Sequence, residues 1–107
     1  MSSTTVTRGN SHETFYVQLS LTPSAVTTAT TSAQSFSLPG LLATDLVQVW
    51  GVAGNQTTGI TIAEADAAAN AITIQFTNSA ATDKTPVSGI YTIEVVRLEG
   101  PAPATAV

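Results

Sequence analysis

The chain has 107 residues, of which 43% are apolar and 9% charged, with a formal net charge of −4. That length is one domain's worth, enough to bury roughly two thirds of its unfolded surface around a single core. Arg8, Lys84 and Arg97 are the only permanent cations and form no basic patch, which argues against nucleic-acid and membrane-surface roles, while the absence of cysteine excludes a disulfide framework and a thiolate metal site.

Residues 1–13, MSSTTVTRGNSHE, hold Ser, Thr, Gly and Asn with one Val, and read as an arm that cannot pack a core. The same stretch lacks the pattern of a secretory signal. No segment approaches the roughly 18 apolar residues of a membrane span, so the expectation is a protein made and used in soluble form. Thr14 to Leu21 then alternates, with Phe15, Val17, Leu19 and Leu21 on one face against Tyr16, Gln18 and Ser20, the period of a half-buried strand that Pro23 ends. Ala25 to Leu38 is rich in Thr and fits a strand, a break near Ser32 and a second strand carrying Phe36 and Leu38.

Pro39-Gly40 signals a turn, and Asp45 to Val52 follows as the most apolar run, with Val47 and Val49 opposite Leu46, Trp50 and Val52. Apolar groups on both faces imply a central strand or an interface. Ala53 to Gly59 is a loop by its Gly and Asn content. In Ile60 to Phe76 the AEADAAANA core favours helix by propensity, but the flanking ITI triplets alternate and no helical stripe is present. A hairpin joined near Asn70 is expected. A long loop from Asn78 to Gly89, a last strand from Ile90 to Leu98 and a proline-containing tail complete the chain. The pattern predicts an all-β fold: a small antiparallel β-sandwich, jelly-roll or Ig-like, of about six to seven strands, comprising an arm (1–13), the sandwich (14–99) and a tail (100–107).

Glu64 and Asp66, two positions apart on a strand, would stand roughly 6.5–7 Å apart on one face. That is near the carboxyl spacing of inverting glycoside hydrolases, but a substrate cleft with aromatics to spare is not evident in three Phe, two Tyr and one Trp. The expectation is that Ile60 and Ile62 anchor one end of the strand in the core while Glu64 and Asp66 carry the same face into water; a divalent-cation site is the other reading. His12, the only histidine, sits in the polar arm without a GxSxG elbow and reads as exposed. GVAGNQTTG lacks phosphate-loop spacing and its Lys, and Asn55-Gln56-Thr57 is taken as a chance glycosylation sequon. Trp50 is assigned first to the core and second to a subunit interface.

Over about two thirds of the chain the motif order resembles small β-rich virion proteins of tailed bacteriophages. The matching residues are Pro39-Gly40-Leu41-Leu42, Asp45-Leu46-Val47, Gly59-Ile60-Thr61-Ile62, Ile72 to Asn78, Thr85-Pro86, Ser88-Gly89-Ile90-Tyr91 and Val95-Val96-Arg97. Where that group usually carries glycine or a basic residue, this chain has Glu64 and Asp66, and residues 1–21 fall outside the match. The resemblance implies a non-enzymatic capsid decoration or cement protein on the virion surface, assembled in the host cytoplasm. It implies no cofactor and no metal, with the major capsid protein and further copies of itself, as a homotrimer, for partners. The arm, through Thr4, Thr5, Val6 and Thr7, is the candidate for strand addition to a neighbour, and Trp50 for an interface contact. With so few charges, attachment is expected to depend little on salt. The rival expectation is a carbohydrate- or receptor-binding module of a head or tail fibre, using an exposed Tyr16 or Tyr91.

Overall fold

The computed structural model describes residues 11–98, with side chains from Glu13 onward. The expected contacts of Thr4, Thr5, Val6 and Thr7, the side chain of His12 and the tail therefore lie outside the described residues. Six strands follow in chain order: β1 (Ser11–Leu21), β2 (Thr31–Ser37), β3 (Leu46–Val52), β4 (Ile60–Ala68), β5 (Ala71–Asn78) and β6 (Gly89–Leu98). They form two three-stranded antiparallel sheets, ordered β1-β6-β3 and β2-β5-β4. The chain changes sheet at every connection except the β4–β5 hairpin, giving the all-β sandwich expected from the alternation.

The central strands carry the core. Ile72, Ile74 and Phe76 of β5 face Tyr91, Ile93 and Val95 of β6, and all six are fully buried. Phe76 meets Tyr91 edge to face, with ring centroids 6.3 Å apart and planes at 78°, the arrangement that sets a positive ring edge against a negative ring face. Phe15, Val17 and Leu19 from β1 and Val47 and Val49 from β3 close over this centre from one sheet. The period of two in β1, β5 and β6 thus translates directly into one buried face per sheet.

Polar groups at the sandwich ends are satisfied by the loops. Asn78, fully buried, donates from Nδ2 to the carbonyls of Val26 and Thr82, each at 3.0 Å, and accepts from the Ala80 amide at 2.8 Å. Val26 and Lys84 exchange backbone hydrogen bonds of 2.7 and 3.2 Å, so the β1–β2 and β5–β6 loops are joined. The β4–β5 turn places Asn70 at φ +61°, a left-handed conformation that Asn tolerates. Its side chain accepts from the Gly40 amide at 2.9 Å and its carbonyl from Leu38 at 3.0 Å, hooking the hairpin to the Pro39-Gly40 turn.

Several expectations are corrected. The break expected near Ser32 falls earlier, in a turn at Thr28-Ala29, because Thr30 bonds back to the Thr27 carbonyl and Thr28 is held by Asp83 Oδ1 and the Ala80 carbonyl. Only an isolated bridge at Val26 precedes it. β1 reaches back to Ser11, so residues 11–13, assigned to the arm, belong to the sheet. β3 is an edge strand rather than a central one. Irregularities in β3 between Val49 and Gly51, and in β4 between Ile62 and Glu64, each add a residue and exchange the faces beyond them. Val52 therefore turns to the core, and Glu64 and Asp66 leave the face of Ile60 and Ile62, whose place Ala65 and Ala67 take. Trp50, assigned first to the core, points outward at 62% exposure on the side of Leu46 and Gln48, because β3 lies at a sheet edge with that face uncovered.

Truncating Ile74 to Ala is expected to destabilise the domain by about 2–5 kcal/mol, the range for a fully buried aliphatic whose site cannot collapse. Thr73→Ala, on the opposite face of the same strand, should cost well under half of that; chemical denaturation of both variants checks the assignment of faces.

Candidate functional site

The two outer faces of the sandwich differ in kind. On the β2-β5-β4 sheet the cross-strand rows read Thr31–Thr77–Thr61, Ala33–Gln75–Glu64 and Ser35–Thr73–Asp66, a hydroxyl, amide and carboxylate surface suited to water. Thr31 and Thr77 share a side-chain hydrogen bond of 2.9 Å across the strands. On the β1-β6-β3 sheet the rows read Thr14–Val96–Leu46 and Tyr16–Glu94–Gln48, then Gln18–Thr92–Gly51 beside the bulged Trp50. Of the five large apolar residues exposed among the described ones, four belong to this face: Tyr16 and Trp50 at 62%, Leu46 at 56% and Ile90 at 40%. Scaling typical residue areas by these fractions gives roughly 400 Å² of exposed surface from the four together, spread along the face.

Local sequence explains the arrangement. Gly51 in the β3 bulge adopts φ +146°, which disfavours a side chain, and nothing lies within 4 Å of where its Cβ would be. Trp50, the extra residue of the bulge, lies on the outward side of β3 with Leu46 and Gln48, and its Nε1–H donates to Glu94 Oε1 at 3.0 Å. Beside it the surface dips into a shallow depression of about 300 Å³ lined by Trp50, Gly51, Val52, Ala53 and Thr92. Glu94 is thus half-buried at the centre of the face, between Tyr16 on one neighbouring strand and Trp50 on the other.

Glu64 and Asp66 do come together, on the polar face. The Asp66 carboxyl, through a shared hydrogen bond and then its charge, raises the Glu64 carboxyl above its usual 4.5. Glu64 lines a groove of about 360 Å³ between β3 and β4, with Val47, Val49 and Ile62, and Asp66 is not among its lining residues. Among the described residues no group of three or more His, Cys, Asp or Glu could hold a metal ion. Tyr91, named with Tyr16 as a possible exposed ring, is fully buried; its hydroxyl donates to the Val87 carbonyl at 2.6 Å and accepts from Gln56 Nε2 at 3.0 Å.

An ion pair lies where β6 meets the β2–β3 loop. Arg97 grips Asp45 with two bonds, Nε to Oδ1 at 3.0 Å and Nη2 to Oδ2 at 2.7 Å, and also donates to the Gly40 carbonyl at 3.0 Å. Its guanidinium lies 5.5 Å from the centre of the Phe15 ring. Together Phe15, Val17, Leu38, Leu41, Val95 and Arg97 line a cleft of about 230 Å³ on the flank between β1 and the β2–β3 loop. The Asp45 side chain is 1% exposed and that of Arg97 28%. The Arg97 hydrogen bond, opposed by burial and aided by the Leu42 amide, holds the Asp45 carboxyl below its usual 3.8. Sequence reading quoted both residues within the phage-like motifs but did not pair them, and it gave Glu94 no role.

Because the folded-state value of Asp45 is the lower one, its stabilisation is complete above the unfolded value near 4 and is lost as pH falls through the folded value. Asp45→Asn should cost about 2–3 kcal/mol at neutral pH, between the ranges for exposed and buried pairs, and should flatten the loss of stability below about pH 4. A second check concerns the polar face: Asp66→Ala should return the Glu64 carboxyl toward its ordinary value in an NMR titration, and an unchanged titration would mean that the two carboxyls do not interact. No protein-family model, curated protein or solved structure matches this chain, so the likeness to phage virion proteins rests on the order of its motifs alone.

Proposed function

We propose that the chain is a non-enzymatic structural protein that works by contact, specifically a decoration or cement protein of a tailed-bacteriophage head that binds the major capsid protein lattice as a homotrimer. The observation that carries the contact reading is the contrast between the outer faces: one is clad in Thr, Ser, Gln and carboxylates, while the other exposes Tyr16, Leu46, Trp50 and Ile90. Exposed aromatics amid a charge-poor surface are the composition of docking sites. The motif order from Pro39 to Arg97 supplies the phage assignment, and presentation of many copies on a lattice lets modest contacts per subunit suffice.

In this reading the sheet face makes the principal contact and the arm, through Thr4, Thr5, Val6 and Thr7, adds a strand to a neighbour. The face carries one carboxylate and no lysine or arginine among the described residues, so attachment draws mainly on apolar and main-chain contacts. Purified empty capsids incubated with the full chain should retain it at both low and high salt. Trp50→Ala should reduce the copies bound about tenfold or more, as truncation of an aromatic anchor does, and deletion of residues 1–10 should reduce them further. Binding that survives both changes, or no binding by the full chain, would overturn the assignment.

A further inference from the structure

The carboxylate at the centre of the apolar face sets a condition on whatever covers it. Glu94 is half-buried in the row Tyr16–Glu94–Gln48, and among the described residues its one hydrogen-bond donor is Trp50. The described cations are placed elsewhere: Arg97 is bonded to Asp45 and Gly40, and Lys84 sits in the β5–β6 loop, where its backbone pairs with Val26. A protein surface laid on this face would strip water from Glu94, and a covered carboxylate without a counter-charge is strongly unfavourable. Two copies packed face to face about a twofold axis through this row would bring two such carboxylates together, which disfavours a second copy as the occupant.

Charge complementarity instead selects a partner that brings its own cation. Tyr16 and Trp50 stand on the two strands flanking β6, roughly 10 Å apart at the backbone given the strand spacing, with the carboxylate between them. An aromatic on either side of a single carboxylate suits a planar guanidinium, which can stack on a ring and bond the carboxylate edge at once, better than a strongly hydrated ammonium. We propose that the outer face of the β1-β6-β3 sheet docks a protein partner that inserts one arginine side chain between Tyr16 and Trp50 onto Glu94, with apolar neighbours of that arginine resting on Leu46 and Ile90. The proposal rests on the reading of the chain as a contact protein, not on the capsid assignment.

Trp50 is the single tryptophan of the chain, so its fluorescence reports on this face alone. The probe is the blocked peptide acetyl-Leu-Arg-Leu-amide, with acetyl-Leu-Gln-Leu-amide as its uncharged control, titrated into the full-length protein. Saturable quenching by the arginine peptide, at least about tenfold weaker for the control and for the protein variant Glu94→Gln, supports the proposal. Glu94→Gln keeps an acceptor for the Trp50 indole, so the fold and the ring position are retained. Equal response to both peptides, no response to either, or an unchanged response in Glu94→Gln overturns it. An emission shift that grows with protein concentration in the absence of peptide also overturns it, since a second copy would then be the occupant. Capsid binding unaffected by Glu94→Gln would remove this contact while leaving the capsid role, and peptide binding without capsid binding would do the reverse.

Discussion

Mutual burial of the inner faces of β5 and β6 is the constraint on which every other feature depends. Each is the middle strand of its sheet, so each is flanked by hydrogen-bonded neighbours and has a single way to hide its apolar side chains, which is against the other. The Phe76 and Tyr91 rings meet edge to face across that gap. In a chain without disulfides this contact has no covalent substitute. The edge strands then need to cover only the flanks of a core that is already defined.

That division of labour explains where irregularity is tolerated. The middle of both central strands is regular, while the bulges sit in edge strands β3 and β4 and at the start of β1. A bulge in a central strand would misalign two ladders at once; in an edge strand it disturbs one and re-aims side chains. In β3 it turns Val52 to the core just beyond the outward Trp50, and in β4 it puts both carboxylates on the solvated face. The loops are held just as specifically, by Asn78 at one junction, Gln56 with Tyr91 at another and the Asp45–Arg97 pair at a third. Surface chemistry is therefore segregated by face, although the chain as a whole has few charges to segregate.

Much of the fold was legible because a strand with one buried face advertises itself. Phe15, Val17, Leu19 and Leu21, and the alternation through Ile72, Ile74 and Phe76, place those residues on the inner face without further information. The hairpin at Asn70 was likewise recoverable against the helix propensity of its alanines, since the flanking triplets hold the period of two. Trp50 stood opposite Val47 and Val49 in the alternation and was assigned to the core because apolar groups on both faces made its strand look central, whereas the correct face of Glu64 was not recoverable. A single inserted residue inverts everything after it, and no composition signal announces where the insertion falls. Of the exposed face, Tyr16 was named as a candidate contact and Trp50 as a second choice, whereas Glu94 looked like an ordinary polar position in an alternating strand.

The sequence by itself determined the class of structure and the inner faces of its regular strands, because burial in an extended segment is a local, periodic requirement that each residue meets with its second neighbours. Only the tertiary structure decided which strands lie at the edges, how β3 and β4 change face midway, and that Tyr16, Glu94 and Trp50 from three different strands share one surface. Those outcomes come from strand order and register, which depend on contacts between residues far apart in the chain and leave no periodic trace in any one segment.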